Sequence, residues 1–431
     1  MSGRPGGVYL DIPADMLGQT MDMATAKAGL YAVGDAPKLP PAQESVDEAL
    51  KLLASAKNPL ILVGKGAAYA QAEDELNAFV EATHIPFLPM SMAKGLIPDN
   101  SPYSAASARG LSLRTADVIL LVGARLNWML SFGVGKHYNP NVKFIQLEID
   151  PTEIDNSRQI ACPVIGDLKL ALQMMNKGLA TTPVTCPDAW LQELAVDIKK
   201  NNAKFDAVVN TPVEPMNHQC ALGAVKRVYD KNQDTILVNE GANTLDDCRN
   251  IVDMYLPRHR LDCGTWGVMG IGTGYAIAAA VTTGKSVISI HGDSAFGFDG
   301  MEIETACRYN LPIVFMVFNN GGVYRGDFEN IGSDGDPSPL TLDINAHYEK
   351  MIEAFGGDGY YATTVDDVET MLTKALASKK TSLIHVQLSP HAGEESGHIG
   401  YLNPEPVFGP LTGGAECEDL SFTAPTGVEA N

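Results

Sequence analysis

The sequence predicts an α/β protein built from two doubly wound parallel-sheet domains, and three features predict it. Short, almost wholly apolar runs at 59–63, 118–122, 287–290 and 311–318 alternate with segments of helical period. Such runs read as strands buried on both faces, which parallel sheets under helices provide. The alternation occurs twice, on either side of a stretch at 183–212 that mixes Pro, Asp, Lys and Asn, so the 431-residue chain divides into two sheets. Glycines and polar residues gather just after the apolar runs, at the carboxyl edge where open α/β sheets bind ligands.

Composition narrows the function classes. Hydrophobic content of 45% allows a sizeable core, and a net charge of −21 disfavours nucleic acid or an anionic membrane as the main partner. The seven cysteines are scattered without a C-x-x-C, which fits reduced thiols better than a disulfide framework or a zinc site. No run approaches the ~18 apolar residues of a membrane span, and the glycine-rich start lacks a leader's basic-then-apolar pattern. A cytoplasmic protein is expected.

In chain order, 6–13 reads as one short strand ending at Pro13, and 14–43, with Pro37, Pro40 and Pro41, as a linker. The first domain is expected over 44–182. A helix at 45–56 opens on Ser45 with Glu48 three residues on, the pattern of a capping box. Strand 59–63 runs into Gly64-Lys65-Gly66; helix 72–82 and strands at 86–89, 118–122, 144–149 and 164–165 follow. Lys65, Arg125 and Glu148 each lie at or just after a strand end. That pattern fits a nucleotide held by cations on its phosphates and an acid on its ribose, and equally fits solvated loop charge.

The second domain is expected over 213–402. Helix 217–229 and strand 235–238 come first, with Glu240 and Asn243 at the strand's carboxyl end. A glycine-dense run, 267–274, precedes a small-residue helix at 275–281, an arrangement that lets a ligand approach the backbone. Strand 287–290, helix 301–309 and strand 311–318 form one crossover unit. A helical stretch at 351–355, strand 359–363, helix 365–378 and strand 382–388 close the domain. A loop at 391–398 and a mobile tail at 403–431 are expected beyond it.

The crossover unit leaves hard oxygen donors at one edge: the Asp293 carboxylate, the Asn320 amide oxygen and the Gly322 carbonyl. Mg2+ takes such oxygens together with phosphate oxygens of its substrate. Ser294 and the flanking turn add a hydroxyl and backbone N–H groups for a phosphate. A plain β-α-β unit with turn residues at its ends is the alternative. Two strand ends marked in the same way, at 293 and 320, favour the metal-diphosphate reading.

Gly292-Asp293-Ser294, with Asn319-Asn320 one strand later, resembles the thiamine diphosphate motif of the pyruvate-decarboxylase-like enzymes. The runs at 239–244, 260–270 and 301–305 are similar to those of the oxalyl-CoA decarboxylase family, with the 2-hydroxyacyl-CoA lyases as near relatives. The resemblance extends from Ser2 to about Leu402. It implies Mg2+ on Asp293, Asn320 and Gly322, and thiamine diphosphate against Asn243, Gly267, Val268, Met269, Ser294, Ala295 and Tyr324. Met269 would hold the two cofactor rings in a V, although core packing also suits a methionine there. Tyr324 and Ser396 would orient substrate or relay a proton. ADP, an activator in this family, would bind Arg4, Lys65, Arg125 and Glu148, the last where an aspartate is more usual. The CoA moiety of an acyl-CoA substrate would meet Arg109, Asn202, Arg249 and Glu395.

The implied reaction converts oxalyl-CoA to formyl-CoA and CO2. Glu395-Ser396-Gly397 matches a segment that folds over the thioester in the decarboxylases and favours them over the lyases. The resemblance also implies that 1–20 is the remnant of an N-terminal pyrimidine-binding domain, the other roughly 150 residues of which would be truncated or supplied in trans. The family's activating glutamate lies on that domain, and neither Glu240 nor Glu302 is assigned its role. The chain alone is therefore expected to be inactive, and a homodimer or tetramer is expected of the full-length form. A lyase that releases an aldehyde, or a non-catalytic nucleotide-binding subunit, are the rival readings.

Overall fold

Among the described residues eleven strands, β1 to β11, form two parallel sheets. The first comprises β1 (Pro59–Val63), β2 (Phe87–Pro89), β3 (Val118–Val122), β4 (Lys143–Glu148) and β5 (Cys162–Ile165) in the order β2-β1-β3-β4-β5. The second comprises β6 (Ile236–Glu240), β7 (Arg260–Leu261), β8 (Val287–Gly292), β9 (Ile313–Asn319), β10 (Asp358–Ala362) and β11 (Ser382–Gln387) in the order β10-β11-β9-β8-β6-β7. The structure is a computed structural model that describes residues 3, 4, 6–327 and 335–393. Glu395, Ser396 and the expected tail at 403–431 lie outside the described residues.

Every residue of β1, β3 and β9 is buried, as expected of parallel strands covered on both faces. In each sheet the chain reverses its direction of winding after its first two strands. The chain leaves β1 for β2 on one side and for β3 on the other; it leaves β6 for β7 and then returns to β8. A reversal opens a crevice beyond the strand ends, and the residues singled out by sequence sit at these two crevices. Contacts between the halves are polar and partly buried. Lys94 Nζ donates to the Arg249 carbonyl at 2.9 Å, Asp99 Oδ2 accepts from Met254 N at 2.8 Å, and Arg258 grips Glu73 with two bonds.

Several expected elements differ. Residues 6–13 are extended and exposed, Val8 and Tyr9 almost completely, with no strand pairing among the described residues. The linker at 14–43 carries two short exposed helices, Ala14–Leu17 and Met23–Ala28. The first helix of the domain spans Gln43–Ala54 with Ala42 as N-cap and no side-chain cap, so Ser45 already lies inside it. The connection at 183–212 is largely a 22-residue helix, Asp188–Val209. It buries little besides Trp190, Leu194 and Val209, which is why its composition reads as a linker. The expected helix 301–309 is a 3-10 turn, Gly300–Glu302, followed by Ile303–Arg308, and another helix, Asp293–Asp299, starts directly at the end of β8.

Candidate active site

β8 and β9 are neighbours in register, with Gly292 opposite Phe318, so Asp293 and the Asn319-Asn320-Gly321-Gly322 turn emerge side by side. Asp293 is buried. Its Oδ2 accepts from Gly321 N at 2.8 Å and Gly322 N at 3.0 Å, and its Oδ1 from Ser294 N at 2.6 Å. Burial pushes the Asp293 carboxyl up to about 6, against the pull of the Ser294, Gly321 and Gly322 amides. A cation opposite this carboxylate would relieve that cost. The amide of Ser294, expected to face a phosphate, is instead taken by Asp293, and Ala295 is fully buried behind the turn.

Asn320 Nδ2 donates to the carbonyls of Tyr324 and Ala392, which leaves Oδ1 as the atom able to meet a ligand. Gly322 bridges Thr341 through its neighbours: Gly321 O accepts from Leu342 N and Val323 N donates to Leu340 O. The amide and carbonyl of Gly322 itself therefore face the other side of the strand, where its amide meets Asp293. A carboxylate, an amide oxygen and a backbone carbonyl are the donor set Mg2+ accepts alongside a diphosphate, so the residues present fit the group. Tyr324 sits in the left-handed region at φ 56°, and its carbonyl takes Nδ2 of both Asn320 and Asn243. What Tyr324 shows here is a backbone role that gathers this edge.

The second wall is the glycine-dense run, and the residue that shapes it is Glu240, at the end of β6. Glu240 is fully buried, and its carboxylate accepts from the amides of Gly270, Ile271 and Gly272, as well as from Nδ1 of His291 at 3.1 Å. Burial works against ionisation, but His291 and these amides hold the Glu240 carboxyl below its ordinary range. Gly272 cannot carry a side chain, because a Cβ there would lie 2.6 Å from Glu240 Oε2. The clamp presents Gly267, Val268 and Met269 on the loop before it, and Val268 and Met269 are 42% and 37% exposed, so Met269 is not a core residue.

At the crevice of the first sheet, the turn after β1 lies directly on the turn after β3. A Cβ on Gly64 would stand 2.2 Å from the Gly123 carbonyl. Lys65, Arg125 and Arg4 come together here, and burial together with the Arg125 and Arg4 charges keeps Lys65 below its ordinary value. Both arginines bind Glu153, Arg125 at 2.9 Å. Burial opposes this, but the two arginine hydrogen bonds hold the Glu153 carboxyl below its usual range. Glu148 is buried, its carboxyl raised by burial, and its Oε1 accepts from the Ile149 and Asp150 amides. Among the CoA candidates, Arg109 and Arg249 lie close enough to feel each other's charge, whereas Asn202 is an exposed position on the helix Asp188–Val209.

Sequence reasoning missed Glu153 as the partner of both arginines, Glu240 as the clamp, and His291, whose Nε2 meets Ser289 Oγ at 2.7 Å. The signal for His291 was present, since a histidine inside an otherwise apolar buried strand needs partners for both ring nitrogens.

Two parallel α/β sheets, with Asp293 and the Asn319-Asn320 turn side by side at the carboxyl edge of the second, are the frame of a thiamine diphosphate enzyme, and comparison with known proteins agrees. The family description "Thiamine pyrophosphate enzyme, central domain" matches 46–175, and "Thiamine pyrophosphate enzyme, C-terminal TPP binding domain" matches 242–386. Oxalyl-CoA decarboxylase of Escherichia coli (strain K12) is 52% identical over 410 residues, covering 95% of this chain and 72% of that protein. The 2-hydroxyacyl-CoA lyase of Arabidopsis thaliana is 41% identical over 94% of this chain and 73% of its own length. The crystal structure of benzoylformate decarboxylase from Polynucleobacter necessarius superposes with a TM-score of 0.64 at 19% identity, over 84% of this chain and 68% of that one, which speaks to the fold alone. The chain belongs to the thiamine pyrophosphate enzymes, in the group that holds oxalyl-CoA decarboxylase and 2-hydroxyacyl-CoA lyase.

Proposed function

We propose that this chain serves the Mg2+- and thiamine diphosphate-dependent decarboxylation of oxalyl-CoA to formyl-CoA and CO2, a step of oxalate breakdown. The observation that carries the reading is the edge where Asp293, Asn320 and the Gly322 carbonyl converge. The choice of substrate rests on 52% identity to a decarboxylase against 41% to a lyase. Thiamine diphosphate supplies, when bound, the carbon nucleophile and electron sink that loss of CO2 next to a thioester carbonyl requires. The chain's own part is positional. Asp293, Asn320 and Gly322 would hold Mg2+ and through it the diphosphate; Glu240 fixes the loop that presents Gly267 and Met269 to the rings; and Asn243 and Asn320 fix Tyr324 beside them. Glu395 and Ser396 remain proposed substrate contacts.

ADP bound between Lys65, Arg125 and Arg4 is proposed as an activator, with a CoA substrate reaching Arg109 and Arg249. A cytoplasmic homo-oligomer is the proposed form; no described helix is long and apolar enough to cross a membrane. Product analysis on the gene product that carries this chain tests the reaction, with thiamine diphosphate, Mg2+ and oxalyl-CoA supplied. Formyl-CoA and CO2 in equal amounts are expected. Aldehyde release from a 2-hydroxyacyl-CoA, with oxalyl-CoA left intact, would replace this reading by the lyase.

A further inference from the structure

A second cluster of metal-type donors lies on the other flank of β9. His347 Nδ1 is 2.8 Å from Glu349 Oε1, and His385 Nδ1 is 3.0 Å from Glu349 Oε2. The three residues offer donor atoms within 4.8 Å of one another. Two imidazoles and a carboxylate suit a borderline ion of the Zn2+ class with one position open, and suit Mg2+ poorly. Glu349 and His385 are buried, whereas the His347 side chain is 59% exposed, so an ion can enter from solvent. The Tyr361 ring packs 5.4 Å from His347 and 4.8 Å from His385.

The cluster is wired to the Asp293 edge through Asn319, which is fully buried. Asn319 Oδ1 accepts from Gly321 N at 3.0 Å, while its Nδ2 donates to the Ile344 carbonyl at 3.1 Å and to His385 Nε2 at 3.1 Å. An amide nitrogen only donates, so His385 Nε2 is the acceptor and the ring proton sits on Nδ1, facing Glu349. An ion bound at Nδ1 moves that proton to Nε2; the imidazole stays neutral and no proton leaves the protein. The moved proton then faces the Asn319 N–H, donor against donor. Turning the amide mends that contact, but it aims Nδ2 at the Gly321 N–H and deprives Ile344 of its partner. Gly321 N is also one of the amides that hold Asp293 Oδ2.

We propose that His347, Glu349 and His385 bind an ion of the Zn2+ class, and that filling this site weakens the Mg2+-diphosphate site through Asn319. The second half rests on the reading of Asp293 and Asn320 given above; the first half does not. The test uses the purified 431-residue chain, titrated calorimetrically with Zn2+ and, separately, with Co2+ while its visible absorption is followed. One ion per chain is expected, with the intense bands of a four-coordinate Co2+ site and binding at least about tenfold weaker in His347→Asn. That exposed ring can be replaced without touching the core. Failure to saturate at one ion per chain, or equal affinity in His347→Asn, overturns the site. For the linkage, thiamine diphosphate is titrated in Mg2+ with and without Zn2+. A loss of about tenfold in the wild-type chain but not in His347→Asn is expected. An equal effect on both chains overturns the linkage. Absence of thiamine diphosphate binding even without Zn2+ overturns the Asp293–Asn320 reading and the linkage with it, and leaves the ion titration to decide the site.

Discussion

Glu240 and His291 form a fully buried pair, with His291 Nδ1 3.1 Å from Glu240 Oε2. The pair joins β6 and β8 at the switch point of the second sheet, and Glu240 spends its remaining acceptor capacity on the amides of Gly270, Ile271 and Gly272. A carboxylate in this position is held by four donors. Glu240→Gln puts an N–H2 where only acceptors fit, and a group left unsatisfied in the interior is costly. A loss of about 3 kcal/mol in urea unfolding is expected, together with weaker thiamine diphosphate binding because the Gly267–Met269 loop loses its anchor. Unchanged stability would show that the clamp does not hold the loop.

Asp293 presents the opposite case, a buried carboxylate whose ionisation burial opposes. Asp293→Asn keeps one oxygen for the Gly321 and Gly322 amides and removes the charge. Nδ2 then faces the Ser294 N–H, a cost that loss of the buried charge offsets. The expected outcome is stability within about 1 kcal/mol of the parent in the chain without cofactor, and loss of Mg2+-dependent thiamine diphosphate binding by at least about 100-fold, as suits removal of a direct charged ligand. Calorimetric titration reads the binding and urea unfolding the stability. Retained Mg2+-dependent binding would remove Asp293 from the metal site.

How far the sequence discloses this site follows from what kind of group each part uses. The apolar runs of β1, β3, β8 and β9 declare a parallel sheet because nothing but burial on both faces tolerates them. Asp293 and Asn320 stand out because each ends such a run. Glu240 and His291 are harder to assign, since the backbone amides that Glu240 binds lie 30 residues or more away in the chain and His291 meets Glu240 itself across 51 residues. Asp188–Val209 was hidden for a different reason: a helix that buries few side chains has no apolar stripe to read. Its anchor, Trp190, is fully buried and donates to the Pro59 carbonyl at 3.0 Å, a tertiary contact that local pattern does not carry.

His218 gives a pH signature. It begins the helix His218–Tyr229, lies buried with its ring stacked 6.3 Å from Phe318, and burial lowers its pKa to about 4. The folded chain therefore binds this proton less readily than the unfolded chain, whose histidine titrates near ~6.5. The contribution is fully present above pH ~6.5 and is lost as the pH falls toward 4, by about 3 kcal/mol in all. Unfolding free energies measured from pH 8 down to 4 are expected to fall less steeply in His218→Phe than in the parent. Parallel curves would mean that His218 is not held neutral by the fold.

The last prediction concerns Glu153, which occupies two of the three cations, Arg4 and Arg125 but not Lys65, that the ADP reading assigns to the nucleotide. Arg4 and Arg125 each bind its carboxylate, and Asp150 stands 3.8 Å from Arg4. An incoming diphosphate must displace that carboxylate and meet its charge at close range. Glu153→Gln removes the competitor and keeps the shape, so ADP binding is expected to tighten roughly three- to tenfold, whereas Arg125→Ala is expected to weaken it about tenfold or more. Fluorescent-nucleotide displacement at two salt concentrations measures both, and the gain in Glu153→Gln is expected to shrink at high salt because it is electrostatic. If Glu153→Gln instead weakens ADP, the carboxylate serves to preorganise the arginines for the nucleotide, and the cleft binds with Glu153 in place rather than after its displacement.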